Sequence, residues 1–552
     1  MKNEFSVLIG GAAGEGTRMT GQLIGKILNH FGWRIFVYED YQSLITGGHN
    51  FSIIHASKEI ISAPKKEIDY LIALNQDTIL KHKKDLKEDG LIIYNSDQIK
   101  KEKGIGIPAL SITNQFSGKP IMKNSALFGA LAKVLGIDWQ AVEDLLKREF
   151  GEKAEINLKI ARAGYEQSKT FQKIEKLHQT PLSLLTGNEA VALGALKAGL
   201  DVYLSYPMTP ATPILHFLAG VRKDFKNVIV FQPENEIGVI NIGLGSAYAG
   251  KRIMVGTSGG GFALMVEGLS LAAQSETPIV IVESQRPAPA TGIPTYTAQG
   301  DLLFVLSAGH GDFKRFIVAP GDAQEAFYLT GLAMNIAWKY QMPAIVLLDK
   351  EISEDTFNFD EKIVDKIKIE EPIFWDKKGE YERYLDTKEG ISPLAFPGEK
   401  GIVVKSTSYE HDEFGITTEE EEKIQKMQEK RLRKYENFKN EIETLEGIKV
   451  FGNKNSDKAI IVFGSNKGVG IEVGKELNLK VIQILIFQPF PEEEVKRALS
   501  GVKKLISVET NATAQLAQVL RAHDVKVNDS ILKYTGRPFF VEELKEKLIK
   551  KI

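Results

Sequence analysis

Cysteine is absent from the 552 residues, which excludes a disulfide, a thiolate zinc site, a cysteine nucleophile and an iron–sulfur cluster held by this chain alone. Any such chemistry has to come from a partner. An excess of charge is lacking too: 70 Lys and Arg against 72 Asp and Glu give 70 − 72 = −2. No basic surface points to nucleic acid, and no acidic block to a tail. Long apolar runs are missing. Val481–Phe487 (VIQILIF) and Ala344–Leu348 fall far short of the ~20 residues of a membrane helix. The stretch Phe5–Ile9 ahead of Gly10 is too short for the core of a secretion signal. These absences make a cytoplasmic protein without a membrane anchor the expectation.

What is present is an ordinary globular composition, 43% hydrophobic and 26% charged, on a length that predicts three or four domains at roughly 150 residues each. Short apolar runs alternate with helical patterns, as in an α/β fold of several parallel-sheet domains. The first block, residues 1–165, opens with a strand at Ser6–Ile9, glycines at Gly10, Gly11, Gly14 and Gly16, a helix over about Arg18–Phe31 and a strand at Arg34–Tyr38, and closes with the amphipathic stretch Ser125–Phe150. A polar linker follows at 166–183, read as a helical connector over Glu166–His178. The second block, 184–352, has strands near Val202–Leu204, Asn227–Phe231, Arg252–Val255, Pro278–Val282 and Ala344–Leu348. Its helix Glu236–Gly250 is so rich in Gly and Ala that burial on several sides, at a subunit interface, is expected. A more polar segment, 353–453, carries the charged helix Glu419–Glu446, read as solvated. The last block, 454–552, returns to strand, glycine turn and helix, and ends in a helix at Val541–Lys551.

The first glycine loop invites a phosphate, because bare backbone N–H groups at a helix start suit an anion. Its spacing fits neither standard form: Thr17 stands where a P-loop lysine belongs and Met19 where the third glycine of a dinucleotide fingerprint belongs. A tight turn is the plainer reading, and a nicotinamide site with Glu39 on the ribose is the alternative. His49, and the run His411-Asp412-Glu413, are the places a metal could be imagined, but no second cluster stands at ligand spacing. Hydrogen-bonded loop residues are expected there, and no metal. Chemistry concentrates in the second block. Tyr206-Pro207-Met208-Thr209-Pro210 forms a stiff loop at a strand end, where ligands bind in such sheets. Glu234 and Glu236 lie at the next strand-to-helix junction, each able to cap the helix or to act as an acid or base. Arg286 follows a strand and precedes Pro287, Pro289 and Pro294, either a surface arginine or a rigid clamp for a carboxylate.

Taken in order, GGAAGEG, SLITGGHN, LLTGNEAVALGALKAGLDVYLSYPMTPAT, FQPENEIGVINIGLGSAYAGKRIMVGTSGGGFALM, ESQRPAPATGIPT, YEHDEFG with KMQEKRLRK, VETNATAQLAQVLR and KYTGRPF resemble the alpha subunit of the 2-oxoacid:ferredoxin oxidoreductases, in the form with a gamma domain fused ahead of it. The resemblance spans nearly the whole chain. It departs at Thr46, where the family usually has arginine, and at PAPATG, where it usually has GGPSTG.

The resemblance implies a thiamine diphosphate enzyme that decarboxylates a 2-oxoacid, 2-oxoglutarate first and pyruvate or a branched-chain 2-oxoacid as alternatives. It passes two electrons to ferredoxin and the acyl group to coenzyme A. By the same resemblance, residues 1–165 form the gamma-like domain, 184–352 the domain that binds the cofactor's pyrimidine, and 454–552 a Rossmann-like domain of the transketolase C-terminal kind. The diphosphate, magnesium and iron–sulfur sites fall to a beta subunit, in a hetero-oligomer such as (αβ)2. This chain also lacks a GDG segment followed by paired asparagines, in keeping with that division. Matching motifs puts Glu236 on the pyrimidine N1′, where a carboxylate promotes loss of the thiazolium C2 proton, and sets Tyr206 and Pro207 beside the cofactor. Thr209 and Arg286 are matched to the substrate carboxylate. Glu509, Asn511 and Gln515 are matched to packing positions. A non-catalytic assembly subunit is the remaining alternative, expected only without a cysteine-bearing partner.

Overall fold

Short apolar runs separated by glycine turns close into sheets in the computed structural model, which describes residues 3–42 and 47–552. Thr46 lies outside the described residues. The described chain is α/β and its sheets are mostly parallel. No described helix is long and apolar enough to cross a membrane. Contacts divide the chain into two units: Met1–Leu185 with Asp355–Asp360 and Phe539–Glu546, and Thr186–Glu354 with Glu361–Pro538 and Lys547–Ile552.

The first unit is built on an eight-stranded sheet that is mixed, where parallel pairing is expected from the alternation in sequence. Glu4–Ala12 runs parallel to Ile68–Ala73 and antiparallel to His49–Ser57, which is antiparallel to Arg34–Asp40 as well. The connection over 41–48 is too short for a parallel crossover, which needs a dozen residues or more. The helix Thr17–His30 buries Leu23, Ile24, Ile27 and Leu28 against this sheet, the i, i+4 stripe of an amphipathic helix. Ser125–Phe150 is two helices, Lys123–Val134 and Trp139–Phe150. The chain breaks at Gly136 (φ 66) and restarts where Asp138 caps Ala141 N at 3.0 Å.

Several expectations are corrected here. Glu166–His178 is not a helix: the helix Ala154–Glu166 ends where it was to begin, and the amides beyond it bond elsewhere. Phe171 N and Gln172 N donate to Val134 O, Ile174 N to Leu135 O and Leu177 N to Phe31 O. Asp355–Asp360, read as the start of the connecting segment, and Phe539–Glu546, read as part of the last block, group with the first unit. Thr356 and Phe357 pair antiparallel with Val37 and Phe36, and Val541 N donates to Pro64 O.

The second unit holds two sheets. In the larger, the order is Ile486–Gln488, Phe316–Val318, Pro343–Asp349, Ile279–Gln285, Ile253–Thr257, Val202–Leu204, Ile229–Phe231. All neighbours are parallel except the first pair. Ile486–Gln488 comes from the last block, so the blocks beginning at 184 and 454 share a sheet and one buried cluster, from Val202 to Val525. The smaller sheet, Ile448–Gly452, Lys480–Ile484, Lys458–Val462, Lys504–Glu509, Asp529–Leu532, is parallel beyond its first, antiparallel pair.

One helix differs from expectation. The charged helix spans Glu421–Ile442 and buries Met427, Lys430, Lys434, Phe438 and Ile442, because both lysines find one buried acid, Glu276. Within this chain Glu236–Tyr248 packs one face, through Glu236, Val239, Ile240, Gly243, Leu244 and Ala247, which leaves its expected place at a subunit interface to a partner. Ile237 and Ile242 on the other face are exposed.

Candidate active site

Four strand ends converge at the carboxyl edge of the larger sheet. The chain runs from Val202–Leu204 outward to Ile229–Phe231, then crosses to Ile253–Thr257 on the other side. That reversal opens the crevice where ligands bind in parallel sheets. The loop Tyr206–Pro213 leaves the first of these strands, Glu236 starts the helix after the second, Ser258 and the helix Gly259–Leu264 follow the third, and Arg286 follows a fourth strand, Ile279–Gln285.

Glu236 is the first residue of its helix. Asn235, in extended backbone, caps it by accepting from Gly238 N at 2.9 Å. The Glu236 side chain is 4% exposed, and its Oε1 has no hydrogen-bond partner among the described residues. Glu234 is exposed. Gly261 lies against the carboxylate: a Cβ there would come 2.8 Å from Glu236 Oε1 and 2.1 Å from Thr257 Oγ1. A buried acceptor beside bare backbone is costly unless a donor arrives. Its surroundings fit the N–H edge of a bound heterocycle.

Thr209 and Arg286 are brought together. Arg286, 8% exposed, donates through Nη1 to Thr209 O at 2.7 Å, so the contact is to the carbonyl. Burial lowers the guanidinium from its ordinary value, with Asp301 and Glu283 opposing. Tyr206 and Pro207 are exposed at the rim of the same loop. The PAPATG segment turns tightly: Gly292 sits at φ 55, and a Cβ there would lie 1.6 Å from Pro287 O, a place only glycine fills.

Two acids at this edge escape motif reading. Glu283 is 0% exposed, and Asp301 is buried in the loop beyond Arg286. Burial pushes the Glu283 carboxyl well above its ordinary value, with Asp301 adding. Burial pushes Asp301 up to about 6, with Glu283 and Arg286 opposing. Glu283 could have been noticed as the one acid in the buried strand IVIVESQ. Nothing local marks Asp301. A cavity of 430 Å³ lined by Phe313, Gln341, Arg431, Lys434 and Tyr435 contains none of these groups.

The other candidates have structural tasks. Glu15 fills the first glycine loop, accepting from Ala12 N at 2.6 Å and from Lys123 Nζ at 2.5 Å, so an internal carboxylate sits where a phosphate was imagined. Glu39 is buried and accepts from Ser52 Oγ at 2.6 Å. His49 Nε2 meets His82 Nε2 at 2.8 Å, and His411 lies over Tyr384. Among the described residues no three His, Asp or Glu cluster as metal ligands. Glu509 accepts from Leu516 N and Ala517 N, while Asn511 and Gln515 hold the carbonyls of Gln299 and Gly300.

Known proteins resemble this chain over nearly its whole length. The family described as pyruvate flavodoxin/ferredoxin oxidoreductase, thiamine diphosphate-binding, matches residues 193–430, and pyruvate ferredoxin/flavodoxin oxidoreductase matches 6–167. The 2-oxoacid:ferredoxin oxidoreductase subunit alpha of Saccharolobus solfataricus is 31% identical over 98% of this chain and 97% of its own length. The 2-oxoglutarate synthase subunit KorA of Archaeoglobus fulgidus is 29% identical over 66% of this chain and 98% of its own. The structure of 2-oxoglutarate:ferredoxin oxidoreductase from Magnetococcus marinus, with 2-oxoglutarate, coenzyme A and succinyl-CoA bound, superposes over 100% of both chains with a TM-score of 0.89 at 28% identity. At 31% identity over 98% of its length to that Saccharolobus solfataricus subunit, the chain belongs to the 2-oxoacid:ferredoxin oxidoreductase alpha-subunit family, a family of oxidoreductases.

Proposed function

We propose that this chain is the gamma-fused alpha subunit of an enzyme that oxidatively decarboxylates 2-oxoglutarate to succinyl-CoA and CO2 while reducing ferredoxin. The observation that carries the reading is the buried Glu236 Oε1 without a donor, at the strand-order reversal. Thiamine diphosphate, when bound, supplies the electron sink that lets a 2-oxoacid lose CO2. Glu236 holds a proton-sharing contact to the pyrimidine N1′, and its apolar neighbours Val239 and Ile240 keep water from competing for it. Arg286, fixed on Thr209 O, orients the substrate carboxylate with Thr209, and Tyr206 and Pro207 line the cofactor's edge.

A beta subunit holds the diphosphate, Mg2+ and an iron–sulfur cluster in this reading, since a chain without cysteine can ligate no cluster through thiolates. Ile229, Phe231, Ile237, Ile242 and Leu264 are large apolar side chains exposed on the elements around Glu236, the kind of patch a partner covers. Residues 1–165 are assigned as the gamma-like domain, supported by the match over 6–167, with 184–352 as the pyrimidine domain, 353–453 as the connecting segment and 454–552 as the C-terminal domain, the last two less Asp355–Asp360 and Phe539–Glu546, which group with the first unit. Coenzyme A is the acyl acceptor, as it is a ligand of the Magnetococcus marinus protein. Pyruvate or a branched-chain 2-oxoacid is the alternative substrate, favoured by the broader 2-oxoacid name of the Saccharolobus solfataricus relative.

The test is purification of the chain from its native cell with whatever binds it, followed by assay of ferredoxin reduction on each 2-oxoacid with coenzyme A. A cysteine-bearing partner and highest kcat/KM on 2-oxoglutarate are expected. Activity of the chain alone, or no 2-oxoacid dependence, sinks the reading.

A further inference from the structure

A buried carboxylate without a donor is among the costliest groups a fold can carry, and two of them meet beside Arg286. Neither carboxyl oxygen of Glu283 receives a hydrogen bond among the described residues. Its register neighbours, Thr257 on one side and Leu347 on the other, are uncharged. Asp301 lies within hydrogen-bonding reach of it, and Asp301 Oδ2 is likewise buried without a donor. Asp301 is held in place from several directions. Its N–H donates to Gln285 Oε1 at 3.0 Å, Leu303 N donates to Gln515 Oε1 at 3.0 Å, and Gln515 Nε2 donates to Gly300 O at 2.6 Å. The carboxyl rests on Gly259, where a Cβ would lie 2.4 Å from Oδ2.

Two carboxylates clamped together repel, and neither can donate; one proton between them supplies the donor both lack. The charged groups acting on the pair are each other and Arg286. With one proton held, the pair and Arg286 sum to zero. With none, the sum is one negative charge, which opposes an incoming carboxylate.

We propose that Glu283 and Asp301 share a single proton and thereby keep Arg286 able to accept the 2-oxoacid carboxylate. This rests on the assignment of Arg286 to that carboxylate. The two acids are positioning residues: they act through Arg286 and touch no substrate. Burial raises Glu283 well above its ordinary value, the direction that holds the shared proton, which leaves as pH rises.

The test uses the assembled enzyme, with ferredoxin reduction followed from about pH 7 to about pH 9.5 for wild type, Glu283→Gln, Asp301→Asn and Arg286→Ala. In wild type, kcat/KM falls about tenfold per pH unit once the pair titrates, with the fall carried by KM. In Glu283→Gln or Asp301→Asn an amide N–H replaces the shared proton permanently, and that KM-borne fall disappears. A variant that lowers kcat/KM by one factor at every pH, with the alkaline fall intact, overturns the proposal. Arg286→Ala separates the two layers. If it leaves KM unaltered, the carboxylate assignment itself fails; if it raises KM while Glu283→Gln keeps the alkaline fall, only the proton pair fails. A pH-difference infrared spectrum of the wild-type complex gives a readout without variants. A protonated-carboxyl C=O band that vanishes at alkaline pH is expected, and its absence at neutral pH overturns the pair.

Discussion

Glu276 and Glu236 are buried to nearly the same degree, 1% and 4% exposed, in opposite surroundings. Glu276 accepts from Lys430 Nζ at 2.7 Å and Lys434 Nζ at 2.5 Å. Arg383 adds hydrogen bonds to the carbonyls of Ser275 and Glu276. Burial pushes this carboxyl up, but the two lysines outweigh it and hold it well below the ordinary carboxylate range. The carboxylate there is answered from within the chain. At the sheet edge, Glu236 keeps one oxygen, and Glu283 both, without a donor among the described residues. Burial alone therefore does not mark a functional acid; burial with the partner withheld does, because the fold bears the desolvation cost for a donor it does not supply.

Removing each acid's charge should give opposite signatures. Glu236→Gln, in the assembled enzyme, is expected to cost about 10²–10⁴-fold in kcat while the complex still assembles and melts as wild type does. Full turnover would return Glu236 to a merely structural role. Glu276→Gln is expected to act on stability instead. It leaves Lys430 and Lys434 buried without a counter-ion, at a cost of about 3–5 kcal/mol, seen as a lower denaturation midpoint at fixed partner concentration. The pH dependence has a definite sign. The folded carboxyl lies below its ordinary value of 4.5, so its stabilisation is present above that pH and lost as pH falls through the depressed folded value. A wild-type advantage that instead grew on acidification would refute the ion cluster. Smaller again is Arg286→Ala, expected to raise KM for the 2-oxoacid by about ten- to a hundredfold, the worth of a hydrogen bond to a charged group.

Legibility in the sequence follows the same division. Local signals carried the α/β alternation, the strand Val202–Leu204 and the helix starting at Glu236, because period and caps act within a few residues. Motif order brought Thr209, Glu236 and Arg286 to one edge of a sheet. What stayed hidden depends on partners distant in the chain. Lys430 and Lys434 look like a solvated basic run until Glu276 is placed between them. Asp301 is an ordinary loop acid until Gln515 and Asn511, far along the chain, fix its loop beside Glu283. Glu15 resembles a spacer in a phosphate loop until its carboxylate is seen to occupy that loop. In each case charge compensation across the fold decides, and no local spacing encodes it.

The finest contrast lies in two helix caps with the same chemistry. Asn235 Oδ1 accepts from Gly238 N at 2.9 Å, and Asp138 Oδ1 accepts from Ala141 N at 3.0 Å. Replacing either by alanine costs about 1 kcal/mol of helix stability. Only the helix behind Asn235 begins with a site residue, Glu236; the helix Trp139–Phe150 carries none. Fraying of the first turn moves Glu236 relative to Gly261 and Thr257, so Asn235→Ala should lower kcat by about fivefold if that energy is spent on realigning the carboxylate. Asp138→Ala should lose similar stability and leave kcat as it was. Equal losses of kcat in the two variants would mean that general destabilisation reaches the site, and that the alignment of Glu236 does not depend on its own cap.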